Sequence, residues 1–461
     1  MKHLSIFGTS SDVGKSLLSI MLTYLFAQKG IRSINFKAQN VSNNSKVCDD
    51  GGEIAIPQHF AAEILGEFIT QKANPILLKS AQKRTWHLIV NGRSKKNLHV
   101  KEYFHEIPTL KPIVKEAFES LAKEYECIVA EGAGSPVELN LMQKDLSNLY
   151  IAKEFQTKIV LVADIERGGV FASIYGVYKL LPKEIQKNVI GVIINKFRGD
   201  LSLFDEGKRI IRERFGLEVF GVIPYKPFNL AYEDSASLMN YHQIKTEVKI
   251  KVGVVRFPHI SNFTDFEPLV IDTEIDLEFI TTPKEAKKCD MVILPGSKMV
   301  VEDLRWLKEQ GFEHYIHQTK QKIVAICGGY EMLFERILDP YGVESEHKEI
   351  EALRIFKGDV IFEREKVVQK GCYNIRGVMV EGYEIHNAIA KKRAKKKKNV
   401  YGTFVHGIFE SDALRKKLFA NISQTYKGYD FKKYKQNAVK EYAEFVSLHV
   451  NIDEIIKRLK K

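Results

Sequence analysis

A chain of 461 residues is too long for one compact core, so at least two domains are expected. Its 44% hydrophobic and 28% charged residues are ordinary for a soluble globular protein, and no apolar stretch reaches the length of a membrane span. The net charge of +12 is partly local, since 391–398 carries seven positive charges in eight residues. Such a run is expected to be a solvated, self-repelling loop and not a nucleic-acid patch, and the remaining excess suits small anionic ligands. The five cysteines show no C-x-x-C spacing and are odd in number, which points away from a disulfide framework or a zinc site. With the first strand starting almost at once, no signal peptide is expected, and the protein is expected to be cytoplasmic, with neither membrane nor nucleic acid as a partner.

The apolar run His3–Phe7 reads as a strand, and Leu17, Leu18, Met21, Leu22, Leu25 and Phe26 fall on one face of a helix. Between them stands Gly8-Thr9-Ser10-Ser11-Asp12-Val13-Gly14-Lys15-Ser16. This strand–loop–helix has one residue more between its glycines than the usual G-x-x-x-x-G-K-[ST]. Backbone N–H groups turned inward by such glycines cradle phosphate, and the helix N-terminus adds positive potential. ATP is therefore expected on Gly8, Thr9, Asp12, Gly14, Lys15 and Ser16, with Lys15 on the outer phosphates and the Ser16 hydroxyl on Mg²⁺.

Further strands are expected at Ser33–Phe36, Cys127–Ala130, Lys158–Ala163, Val189–Ile194 and Val219–Ile223, several of them continuous apolar runs. Such runs belong to a parallel sheet covered on both faces, a doubly wound α/β domain with ligands at the carboxyl ends of its strands. At those ends stand Glu131, suited to the metal beside Ser16; Asp164; and Asn195, whose amide can read a purine edge. The amide- and carboxylate-rich loop Lys37–Ser45 continues into Asp49–Glu53 and is expected to orient an acceptor carboxylate. A further metal ligand is expected from Asp49, Asp50 or Glu53, with Asp50 named first.

This first domain is expected to span residues 1–235, followed by a linker at 236–249 and a second α/β domain at 250–461 that includes the C-terminal helices. Strands are expected at Ile250–Val255, Leu277–Ile280, Met291–Leu294, Ile323–Ile326 and Val400–Val405, with shorter hairpin strands over 345–385. Val324-Ala325-Ile326-Cys327-Gly328-Gly329-Tyr330 reads as a strand ending on a nucleophile elbow, where a helix N-terminus would lower the thiol pKa. His406, at the end of a later strand, is the expected base, and Leu294–Lys298 a source of an oxyanion N–H.

These stretches, together with Ile260–Pro268, Gly382–His386 and Gly402–Phe409, make the chain resemble the cobyric acid synthase family over nearly its whole length. The first half also resembles dethiobiotin synthetase, with the same extended phosphate loop, and the second half a class I glutamine amidotransferase. The resemblance implies ATP- and Mg²⁺-dependent amidation of four peripheral carboxylates of a corrinoid, adenosylcobyrinic acid a,c-diamide, with L-glutamine as nitrogen source. Cys327 and His406 would be the glutaminase pair. The sequence departs from the family at Ala325 for Gly, Glu331 for Gln and Glu166 for Asp. Ile408 stands where many class I domains carry an acid, so no triad acid is named. Cobyrinic acid a,c-diamide synthase and a partitioning-type switch ATPase are the alternatives.

Overall fold

The computed structural model describes residues 1–80, 85–230, 245 and 248–461; most of the expected linker, 236–249, lies outside them. The chain divides into two compact units. One comprises Met1–Val41, Ile54–Phe228 and Lys435–Lys461, the other Ser42–Glu53 and Asn229–Tyr434.

The first unit is built on strands β1 (Leu4–Gly8), β2 (Ser33–Phe36), β3 (Cys127–Glu131), β4 (Lys158–Asp164), β5 (Val189–Phe197) and β6 (Val219–Pro224). They form one parallel sheet in the order β6-β5-β4-β1-β3-β2. In β4 every residue from Ile159 to Asp164 is buried, the mark of a strand covered on both faces. Helix α1 (Lys15–Gln28) runs from β1 toward β2, while β3 and β4 flank β1 on either side. The carboxyl ends of β1, β3 and β4 therefore meet at the point where chain order reverses, where ligands of such sheets bind. A smaller mixed sheet combines Gln39–Val41, Ile76–Ser80, Thr85–Val90 and Arg93–His99, and leads into helix α2 (Val100–Glu124).

The C-terminal helices differ from expectation. Helix α3 (Phe431–His449) starts in the second unit and ends in the first, and α4 (Ile452–Leu459) belongs wholly to the first. Ile452, Ile455, Ile456 and Leu459 are buried there, the Asn451 N–H donates to the Phe220 carbonyl, and the Lys2 N–H donates to the Leu459 carbonyl. An apolar stripe announces that a helix will pack, without naming its partner. Gly221 makes the approach possible: a Cβ there would stand 2.0 Å from the His449 carbonyl oxygen.

In the second unit, β7 (Ile250–Val255), β8 (Ile275–Ile280), β9 (Met291–Leu294), β10 (Lys322–Ile326), β13 (Ala394–Lys397) and β14 (Val400–Thr403) form a sheet in the order β8-β7-β9-β10-β14-β13. A separate hairpin, β11 (Asp359–Ile375) with β12 (Val378–Ile389), is 17 and 12 residues long, longer than the short strands expected. The lysine run is also not a loop. Ala394–Lys397 is an edge strand antiparallel to Val400–Thr403, with the Lys395 and Lys397 ammonium groups on the carbonyls of Lys357 and Ile355. Its charge serves as an edge that other strands cannot join.

Candidate active sites

In the first unit the phosphate loop is closed upon itself. Lys15 is buried and its Nζ donates to the Ser10 carbonyl at 3.0 Å, crossing over Gly8, where a Cβ would lie 2.7 Å from that nitrogen. Gly14 has φ of 94°, and a Cβ on it would stand 2.4 Å from Nδ2 of Asn195. That amide donates to the Val13 carbonyl at 2.8 Å, so Asn195 is brought to the loop as a brace for its backbone. The Thr9 N–H donates to Val162 in the neighbouring strand. Asp12, also at positive φ, receives Lys196 on its carbonyl at 2.6 Å, and Lys196 in turn pairs with Asp164 at 3.1 Å.

Ser16 and Glu131 meet as the sequence suggests: Ser16 Oγ donates to Glu131 Oε1 at 2.7 Å. Glu131 is 1% exposed, and its charge is matched by Lys37 Nζ at 2.8 Å, with Gln58 Nε2 on its other oxygen at 3.4 Å. A buried carboxylate needs such donors, and Lys37 is a partner that sequence reasoning passed over. A hydroxyl beside a carboxylate is a hard-oxygen set that fits Mg²⁺, which takes one or two protein ligands and fills its octahedron with phosphate and water. No group of three or more His, Cys, Asp or Glu with metal-binding geometry occurs among the described residues.

Asp49, Asp50 and Glu53 are counted with the second unit, while Ser16 and Glu131 belong to the first. Asp49 pairs with Lys370 at 2.7 Å, Glu53 pairs with Lys366 at 2.7 Å and accepts from Ser45 Oγ, and Asp50 is exposed on the intervening turn. The amide-rich loop is likewise divided. Its Lys37–Val41 part stays in the first unit, whereas Asn44 Oδ1 accepts from the Asn262 N–H at 2.8 Å and Asn262 Oδ1 from the Ser45 N–H.

Cys327 ends β10 in the second unit with φ of 49° and ψ of −113°, a strained elbow. The turn needs Gly328 and Gly329, because a Cβ on either would stand 2.8 Å from the Ser297 nitrogen or 2.4 Å from the Leu294 oxygen. His406 lies just beyond β14, 1% exposed, with Nδ1 2.7 Å from Asp265 Oδ2. The other Asp265 oxygen accepts the Gly407 N–H at 2.7 Å. A carboxylate on Nδ1 fixes the proton there and leaves Nε2 as the basic nitrogen. The face of the ring stacks on Tyr383, and Asn262 Nδ2 lies 3.4 Å from Nε2. Asp265 is the acid that the sequence did not name. It comes from the Asn262–Phe266 turn, not from the position two after the histidine, where Ile408 is buried in the core.

The thiol differs from expectation in its pKa. Burial, then the nearby Glu331 carboxyl, push Cys327 well above the usual thiol value, against the Gly328 N–H and the Lys366 charge. The resting group is therefore a thiol, and its proton must leave to a base as it attacks. Glu331 is itself buried, and burial followed by the nearby Glu344 carboxyl raises its pKa well above the ordinary carboxylate value. That shift favours the neutral carboxyl, which is nearly isosteric with a glutamine side chain. The Leu294–Lys298 stretch packs against the elbow, with Gly296–Ser297 antiparallel to Ile260–Ser261. A Cβ on Gly296 would stand 3.1 Å from His406 Cε1.

Residues 4–237 match the CobQ/CobB/MinD/ParA nucleotide binding domain, and residues 251–414 the CobB/CobQ-like glutamine amidotransferase domain. A cobyric acid synthase of Acinetobacter baylyi is 50% identical over 100% of this chain and 99% of its own. The chain belongs to the cobyric acid synthase family. Another cobyric acid synthase, from Geobacillus sp., is 37% identical over 98% of this chain and 96% of its own. Family membership and the amidotransferase domain make the protein a glutamine-hydrolysing ligase that uses ATP. A solved glutamine amidotransferase is 13% identical at a TM-score of 0.29, covering 37% of this chain and 97% of that one, too distant to add to the argument. No described helix is long and apolar enough to cross a membrane.

Proposed function

We propose that the protein amidates the b, d, e and g carboxylates of adenosylcobyrinic acid a,c-diamide to give adenosylcobyric acid, a step of cobalamin biosynthesis carried out in the cytoplasm. The observation that carries this reading is the presence, on one chain of this family, of the Ser16–Glu131 pair at the phosphate loop and, in the second unit, of Cys327 on a strained elbow together with the His406–Asp265 pair. A carboxylate oxygen leaves poorly, so ATP first converts it to an acyl phosphate, with Lys15 and the loop N–H groups stabilising the charge on the transferred phosphoryl group. Ser16 and Glu131 would hold Mg²⁺, which would supply further charge neutralisation. Asn195 keeps the loop in its phosphate-binding shape and offers its remaining amide groups to a base.

In the second unit, His406 Nε2 takes the Cys327 proton as sulfur attacks the glutamine carboxamide carbon. The tetrahedral oxyanion is served by an N–H of the Gly296–Ser297 turn, the Lys298 N–H being committed to the His259 carbonyl. His406 returns the proton to the leaving nitrogen, ammonia departs, and water hydrolyses the thioester to glutamate. Asp265 holds the imidazole in the needed tautomer throughout.

The test is mass spectrometry of the corrinoid after incubation with protein, ATP, Mg²⁺ and glutamine. Stepwise replacement of four acids by amides is the expected result. An unchanged diamide beside amidation of cobyrinic acid at its a and c positions would instead identify the earlier enzyme of the same chemistry.

A further inference from the structure

The turn that follows β9 in the second unit lies directly on the nucleophile elbow. A Cβ on Gly328 would stand 2.8 Å from the Ser297 nitrogen and 3.0 Å from Ser297 Cβ, so the next residue, Lys298, starts its side chain beside Cys327. The backbone there is pinned: the Lys298 N–H donates to the His259 carbonyl at 2.9 Å, and Ser297 Oγ donates to Asp303 Oδ2. Lys298 is half-buried, so part of its surface stays open to a ligand.

Among the described residues the Lys298 ammonium makes no hydrogen bond or ion pair, although Glu53 and Glu344 are near enough for their charges to act on it. Both acids are engaged elsewhere. Glu344 Oε2 accepts from the N–H groups of Val300 at 2.7 Å and Val301 at 3.4 Å, and Glu53 holds Lys366 at 2.7 Å and accepts from Ser45 Oγ at 2.9 Å. Burial, then the nearby Lys366 ammonium, lower the Lys298 pKa to about 8, against the pull of Glu53 and Glu344. A desolvated cation with a second cation for a neighbour favours the arrival of an anion.

Glutamine brings one. With its carboxamide carbon at Cys327 Sγ, its α-carboxylate ends a run of four carbon–carbon bonds, about 5 Å away when extended. The Lys298 ammonium is close enough to Cys327 for the two charges to interact, and the other cation near the thiol, Lys366, is already matched by Glu53.

Building on the glutaminase reading above, we infer that Lys298 receives the α-carboxylate of glutamine and so selects the free amino acid over glutamine whose α-carboxylate is blocked. The ammonium donates charge-assisted hydrogen bonds to the carboxylate oxygens. The contact is remote from the reacting amide and equally present before and during attack, so it acts on KM more than on kcat.

The test compares L-glutamine with L-glutamine α-amide as substrates of the full-length protein, with ATP, Mg²⁺ and cobyrinic acid a,c-diamide present, and reads the glutamate or glutamate α-amide formed. The wild type is expected to prefer glutamine by about 30-fold or more in kcat/KM. Lys298→Met is expected to shrink that preference to about threefold or less, by raising the KM for glutamine while its kcat and the α-amide reaction stay within about threefold of wild type. The α-amide reaction also shows that the second unit of the variant is folded. If Lys298→Met loses both substrates, Lys298→Gln decides by the same ratio, and loss of both by both variants overturns the inference. Equal use of the two substrates by the wild type, or a preference that survives the loss of the ammonium, also overturns it while leaving the glutaminase reading standing. No glutamate from glutamine with the wild type overturns that reading and this inference with it.

Discussion

The two reaction centres meet the same geometric demand in opposite ways. The phosphate loop places positive φ on Gly14, where no side chain resists it, and on Asp12, whose carbonyl accepts from the Lys196 ammonium; neither is the group that meets the transferred phosphoryl. The glutaminase elbow places its positive φ on Cys327, the reacting residue, and a non-glycine residue held there stores on the order of 1–3 kcal/mol that the surrounding packing must supply. The loop only has to surround a ligand, and its backbone is held by Asn195, Lys196 and Val162 from neighbouring strands. The elbow has to project one sulfur toward a base and a carboxylate that arrive from elsewhere in the chain, so its geometry is enforced by Gly328, Gly329 and the strands around them.

The sharpest way to break this contrast is Asp265→Asn. If His406 depends on that carboxylate for its tautomer, glutaminase kcat falls by about 10⁴, while ammonia-driven amidation persists. Lys15→Ala strikes the other centre and is expected to lower amidation by about 10²- to 10³-fold with glutamine and ammonia alike, read as corrinoid amide formed per unit time. The Glu53–Lys366 pair tests whether the Ser42–Glu53 segment is integral to the second unit. Both side chains are buried, so Glu53→Gln leaves an uncompensated ammonium, and roughly 3–5 kcal/mol of stability should be lost in a thermal melt. Near neutrality Glu331→Gln is the mildest change.

The sign of that last effect follows from the raised pKa of Glu331. Below its folded-state pKa the carboxyl is neutral and the variant should match the wild type in glutaminase rate. As pH rises through that value, the wild type gains a carboxylate beside Cys327, which disfavours the thiolate, and its rate should fall relative to the variant. Stability moves in the same direction. An acid protonated in the folded state and ionised in the unfolded chain loses stability as pH rises from its ordinary value through its folded one, and the glutamine variant lacks that slope. Parallel pH profiles of rate and melting temperature for the two proteins check both statements.

The same contrast explains how much the sequence disclosed. Gly8 to Ser16 carries its own context, a strand before and a helix after, and Glu131 is legible because a carboxylate beside two glycines closes a fully apolar strand. The central strands of both sheets were readable for the same reason, as unbroken apolar runs. Asp265 was not, since nothing in Asn262–Phe266 signals which side chain will reach a histidine 141 residues later. Lys37 was missed as the partner of Glu131 because ion pairing over 94 residues has no local pattern. The lysine run misled because repulsion along a segment says nothing of carbonyls across from it, where Lys395 and Lys397 find their partners. The C-terminal segment read as helix, but nothing in it named the unit that buries Ile452, Ile455, Ile456 and Leu459.

The central claim is that one chain joins two separable half-reactions, and the most direct measurement is amide formation by Cys327→Ala supplied with either glutamine or ammonia. Amidation with glutamine is expected to fall by about 10³-fold or more, and ammonia to restore it to near the wild-type rate with ammonia. Undiminished amidation from glutamine would contradict the role of Cys327, and no amidation from ammonia in either protein would contradict the acyl-phosphate half of the account.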